Sequence, residues 1–139
     1  TTLTFAQTTD STLTTNYEQK TIRFVSLNSA KYVQNGVEKR SGIFYKRLKT
    51  EFQNISTEAK QELTLAIRQK KIASLLGNTG SALYCVGLVL IVTPSGVIGL
   101  TMFAVGACLI VPASIIQVSS QKHLYKAVWL YNRDVLVGK

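Results

Sequence analysis

The stretch IASLLGNTGSALYCVGLVLIVTPSGVIGLTMFAVGACLIVPASIIQVSSQ, Ile72 to Gln121, runs fifty residues without one charged side chain, and Thr93-Pro94-Ser95-Gly96 divides it into two apolar arms. Each arm, Ile72 to Val92 and Val97 to Gln117, holds 21 residues. At ~1.5 Å of rise per helical residue such an arm reaches roughly 30 Å, the thickness of a bilayer's hydrocarbon core. Length and polarity agree on a transmembrane helical hairpin with spans at 72–92 and 97–117, and the rest of the chain is read outward from it.

With the arms committed to lipid, at most about seventy residues remain for a soluble domain, so any aqueous core is small. The formal net charge is +9, and all sixteen Lys and Arg lie outside the arms. That distribution is expected of a membrane protein, and no nucleic-acid-reading motif accompanies the charge, so no nucleic-acid partner is expected. Cys85 and Cys108 sit mid-arm among Val, Leu, Ala and Gly. They read as small apolar filler, since a disulfide framework or metal site needs more ligands.

Before the arms the chain reads in three pieces. Phe5-Ala6-Gln7 has the form of the tail of a secretory signal peptide whose basic start and most of whose apolar region are missing, and the polar run Thr8 to Asn16 completes a disordered start over 1–19. Under that reading residues from Gln7 onward are exported. A small αβ module follows over 20–56. Ile22 and Phe24 alternate with Thr21 and Arg23 in a β-favouring run to Leu27, and Asn35-Gly36 stands between two strand-like runs, the strongest short hairpin signal because a type I′ turn needs positive φ at both positions. Phe44, Leu48 and Phe52 then recur every fourth residue with Lys46, Arg47 and Lys49 on other faces, which predicts a short basic amphipathic helix. Its apolar face either covers the sheet or lies on anionic lipid.

The helical hairpin occupies 57–136. Ser56 or Thr57 suits an N-cap with Glu58 in the first turn, and without a proline before Val92 one continuous helix is predicted, aqueous in its first half. Beyond Gln117 the stripe Leu124, Val128, Tyr131, Val135 extends the second helix to Leu136, with Pro112 as a candidate bend. Folding at the turn brings Ala59, Leu63 and Ile67 level with Leu130, Lys126 and Lys122. Within the arms, Ala73, Gly80, Gly87 and Gly99, Gly106, Ala113 follow seven-residue spacings and form a candidate helix-packing seam, within one hairpin or between two. The polar groups there, Asn78, Thr79, Ser81, Tyr84, Thr101 and Ser114, are neutral, and of these Asn78 most needs a partner. The fold class is thus mainly α: an antiparallel two-helix transmembrane hairpin with long helical extensions and a small N-terminal β-hairpin and short-helix module.

Arg68, Lys70, Lys71, Lys122, Tyr125, Lys126 and Trp129 flank the arms as a basic and aromatic interfacial belt. The positive-inside rule applied to this belt makes the module's face cytoplasmic, whereas the signal-like start makes it extracytoplasmic. The second is preferred here, with the hairpin integral to the cytoplasmic (inner) membrane. No catalytic set, phosphate loop or metal spacing can be assembled, so neither an enzyme nor a cofactor is expected.

Phe5-Ala6-Gln7, Tyr32-Val33-Gln34-Asn35-Gly36, Phe44-Tyr45-Lys46-Arg47-Leu48, the glycine-rich hairpin and the ending Ala127-Val128-Trp129-Leu130-Tyr131-Asn132-Arg133-Asp134 together resemble small uncharacterised two-span membrane proteins of Bacteroidota-type bacteria. The resemblance covers most of the chain. It implies an envelope protein made with a signal peptide, and it implies no activity. Of the ending, Trp129, Tyr131, Asn132, Arg133 and Asp134 form a candidate docking segment for a partner protein or for the chain's own sheet, against the simpler reading of a charged helix terminus. The expected function is that of a non-enzymatic accessory or scaffold subunit anchoring a small basic module at the bilayer surface. An element responsive to anionic lipid headgroups and a subunit of an oligomeric channel or transporter are the alternatives. Expected partners are the lipid bilayer, anionic headgroups, and a membrane-protein partner or a homo-oligomer.

Overall fold

The computed structural model describes residues 17, 19–25, 31–42, 45–52 and 57–137. The signal-like start, Leu27, Phe44 and Ser56 lie outside them. Three short strands, β1 (Arg23–Phe24), β2 (Lys31–Gln34) and β3 (Val37–Arg40), are followed by helices α1 (Lys46–Glu51), α2 (Thr57–Ile91) and α3 (Gly96–Val137). The described residues are therefore mostly helical, with two long apolar helices and a small antiparallel sheet. The chain forms two compact units. One comprises the described parts of Thr1–Leu63 and Leu124–Lys139, and the other is Thr64–His123.

In the first unit the sheet order is β1-β2-β3, both pairs antiparallel. The Asn35-Gly36 turn has φ of 57° and 70°, the left-handed pair that a two-residue hairpin loop demands and that Asn and Gly adopt most readily. Strand β2 alternates as its pleat requires: Tyr32 and Gln34 are buried, Lys31 is exposed. Edge strand β3 is mostly exposed and carries Glu38, Lys39 and Arg40, charges that discourage edge-to-edge pairing.

Leu48 and Phe52 of the α1 segment are buried, whereas Lys46, Arg47 and Lys49 face water. The amphipathic face therefore covers the module's core, which answers the choice the sequence left open between sheet and lipid. The module also extends beyond the expected 20–56. Ala59 and Leu63 from the first turns of α2, and Leu124, Ala127, Val128, Leu130 and Tyr131 from the last turns of α3, are buried with it. A three-stranded sheet with strands this short has too little apolar area to close a core, and the helix ends supply it.

In the second unit the two helices reverse at Thr93–Ser95. The Thr93 hydroxyl donates to the Leu90 carbonyl (2.7 Å), the Ser95 N–H donates back to Thr93 Oγ1 (3.3 Å), and the Gly99 N–H donates to the Ser95 carbonyl (3.1 Å). One side chain thus ends α2 and supports the start of α3. Helix α3 runs through Pro112 without interruption.

Candidate functional site

The hairpin's interior is built from small residues and its exterior from large ones. Ala73, Gly80, Gly87, Gly99, Gly106 and Ala113, the six residues of the expected seam, are all buried and face the opposite arm. A Cβ placed on Gly106 would lie 2.5 Å from the Tyr84 nitrogen and 2.7 Å from the Gly80 carbonyl oxygen. One placed on Gly87 would overlap the Phe103 backbone. Between these contacts the Tyr84 and Phe103 rings stack with centroids 4.5 Å apart. Gly77 joins the seam, its Cβ position 3.8 Å from that of Ala113. These contacts all lie within one hairpin. At its charged end the Ser120 hydroxyl donates to the Ala66 carbonyl (2.8 Å), tying the two helices by a hydrogen bond.

Outward from the seam, Leu75, Val89, Val92, Val97, Leu100, Val111 and Ile115 are each between 60% and 85% exposed. Thr101 and Ser114 satisfy their hydroxyls on their own helix, donating to the carbonyls of Ile98 (2.8 Å) and Ile110 (3.0 Å). On one side of the hairpin a groove of about 340 Å³ is lined by Ser74, Asn78, Ser81, Ser114 and Gln117 together with the apolar Ala73, Gly77, Ile110 and Ala113 at the edge of the seam. Cys85 and Cys108 are free thiols on the exposed surface.

The docking segment at the end of α3 is engaged with the chain's own module. Asn132 clasps one residue of the sheet region from both sides: its Oδ1 accepts from the Ile22 N–H (2.8 Å) and its Nδ2 donates to the Ile22 carbonyl (3.0 Å). The Tyr131 ring lies 4.7 Å from that of Phe52, and its hydroxyl accepts from Gln34 Nε2 (3.2 Å). Gln34 Oε1 in turn accepts from Lys39 Nζ (3.1 Å), which pairs with Glu51 (3.2 Å). Sheet, α1 and α3 thereby share one polar chain. Arg133 bonds to Asp134 (2.9 Å) and reaches Glu58 on α2 (3.4 Å). Asp134 is buried, Tyr131 nearly so, and only Trp129 and Arg133 of the five present themselves to solvent, with the guanidinium 5.6 Å from the indole centroid. Of the two docking alternatives, the chain's own sheet is the one these contacts engage, through Tyr131 and Asn132.

Burial sets the electrostatics. It pushes the Tyr131 phenol above its ordinary range, with the Glu51 charge adding to the effect and the Gln34 hydrogen bond opposing it. Tyr32 is raised by burial and then by Glu51, and Tyr125 chiefly by burial. These phenols are neutral at physiological pH, and that of Tyr131 is held by its hydrogen bond from Gln34. The interfacial belt divides on the same grounds. Arg68, Lys71, Lys122, Lys126 and Trp129 are exposed and Lys70 is half-buried. Tyr125 is half-buried, and its ring meets Phe24 edge-on with centroids 5.7 Å apart. Lys126 pairs with Glu62 at 2.5 Å.

Among the described residues no group of His, Cys, Asp and Glu is placed to hold a metal ion. Compared with known protein families, with curated proteins and with solved structures, the chain matches none of them.

Proposed function

We propose that the chain is an integral membrane protein whose hairpin anchors a small basic module at the bilayer surface, in the role of an accessory or scaffold subunit without catalysis of its own. The observation that carries this reading is the inside-out arrangement of the hairpin. In the most apolar window of each long helix only 11% and 17% of residues are buried, and the side chains turned outward are Leu, Val and Ile. In water that surface would be a continuous exposed apolar patch far beyond the few hundred Å² typical of a monomer, while in hydrocarbon it is solvated. Small residues between the helices fit the same solvent, because lipid gives no hydrophobic drive for helix association and close backbone packing takes its place.

The lipid-responsive reading draws its support from charge. Leu48 and Phe52 are buried inside the module, whereas Lys46, Arg47 and Lys49 are exposed and suit anionic headgroups. A charge-free pair of arms gives no support to an ion path.

Extraction tests the anchoring. Membranes from cells expressing the full chain are washed with concentrated urea, and the protein is expected to stay in the pellet and to leave only with detergent. Release by urea would overturn the membrane reading. Single-cysteine reporters at Thr50 and Ser95, in a chain with Cys85 and Cys108 replaced by Ala, then give the side: labelling of intact cells at Thr50 alone places the module outside, and at Ser95 alone inside.

A further inference from the structure

We propose that the polar groove on the hairpin is a homodimer interface, occupied by the same groove of a second copy of this chain. The inference rests on the hairpin lying in a bilayer. Five neutral side chains, Ser74, Asn78, Ser81, Ser114 and Gln117, line the groove among arms whose other outward residues are almost all apolar. Ser114 is already bonded within its helix, but among the described residues the Asn78 and Gln117 amides make no hydrogen bond. Asn78 sits seven residues past Lys71, the last charge before the arm, which is about 10 Å deeper along a helix, too far for a short amide to reach the headgroups. In hydrocarbon an amide without a partner is costly to keep, and in membranes such groups are satisfied across helix interfaces.

The chemistry of the groove selects the partner. Each amide and hydroxyl both donates and accepts, so the set is complementary to itself, and a twofold axis through the groove lets the Asn78 and Gln117 amides of one copy pair with those of the other. No charged residue lines the groove to hold an ionised headgroup or an ion. Ser74 and Ser81 stand seven residues apart on α2, on one face, and their small side chains allow a second helix to come close. Gly80, Gly87, Gly99 and Gly106 cannot serve this purpose, because the opposite arm lies against them.

The test uses the full chain in isolated membranes, with Cys85 and Cys108 replaced by Ala and one reporter introduced as Ser81→Cys. Oxidation with copper phenanthroline is expected to give a disulfide-linked species of twice the chain's mass. Leu100→Cys, exposed but away from the groove, is expected to give at least tenfold less, and adding Asn78→Leu and Gln117→Leu to the Ser81→Cys chain is expected to lower the linked fraction at least tenfold at equal expression. No linked species at Ser81, equal linkage at Leu100, linkage indifferent to the two amide replacements, or linkage to a different protein would each overturn the proposal. Urea washing of the same membranes separates the two claims: a chain that stays in the pellet without cross-linking rejects the dimer alone, and a chain that is released rejects the membrane anchoring beneath it.

Discussion

Asn132 joins two segments separated by 110 positions with a single amide, and nothing in the local sequence announces it. An Asn near the end of a helix carries the signature of a terminus, and only the fold shows that it receives the Ile22 backbone instead. Replacing it by Ala leaves a part-buried N–H and C=O unpaired, which is expected to destabilise the module by about 1–3 kcal/mol in denaturation of the full chain in detergent, followed by fluorescence of the single tryptophan. Trp129→Ala, at a position 62% exposed, is expected to change stability by less than about 0.5 kcal/mol when unfolding is followed by far-ultraviolet circular dichroism. The tyrosines give a pH signature. Folding raises the pKa of Tyr32, Tyr125 and Tyr131, so the folded state favours the neutral phenols. Their contribution is intact below the ordinary tyrosine value of about 10 and is lost as pH rises through the higher folded values. The module is therefore expected to open above about pH 10, with tyrosinate absorbance and loss of structure rising together, and Tyr131→Phe is expected to reduce the alkaline part of that loss. The contact of Tyr125 with Phe24 was not legible in the sequence, since an aromatic beside a basic cluster does not name the ring it meets.

At the scale of elements, most of the helical architecture could be read from spacing. The absence of proline before Val92 carried α2 to within a residue of its observed end, and the stripe Leu124, Val128, Tyr131, Val135 carried α3 past the apolar arm. The seven-residue spacing of small residues named the side chains that the structure places between the arms, because only residues without bulk permit contacts such as Gly80 to Gly106. A Gly106→Leu chain is expected to lose the hairpin's close packing, since even one added carbon meets backbone atoms of Tyr84 and Gly80. Disulfide cross-linking between arms, with reporters at Gly77 and Ala113, is expected to fall at least fivefold, and unchanged cross-linking would count against the seam. In the module, Leu48→Ala removes a fully buried side chain and is expected to cost about 2–5 kcal/mol in the same denaturation assay. The module's true extent was not legible: the burial of Ala59 and Leu130 depends on which surface their helices meet, and periodicity gives a face without naming its partner.

For the whole molecule, two kinds of interior divide one chain. The module buries large side chains such as Tyr32, Leu48 and Phe52 as water-soluble proteins do, and the hairpin buries glycine and alanine while turning its large residues outward. We infer that the second arrangement exists because its solvent is hydrocarbon. The native cysteines test it directly, since Cys85 and Cys108 lie on the exposed surface of the arms. With the full chain in liposomes carrying Thr50→Cys as a water-exposed reference, a water-soluble maleimide is expected to label position 50 and to leave Cys85 and Cys108 unmodified until detergent and denaturant are added. Labelling of Cys85 and Cys108 at the rate of position 50 would show the arms in water and overturn the membrane reading.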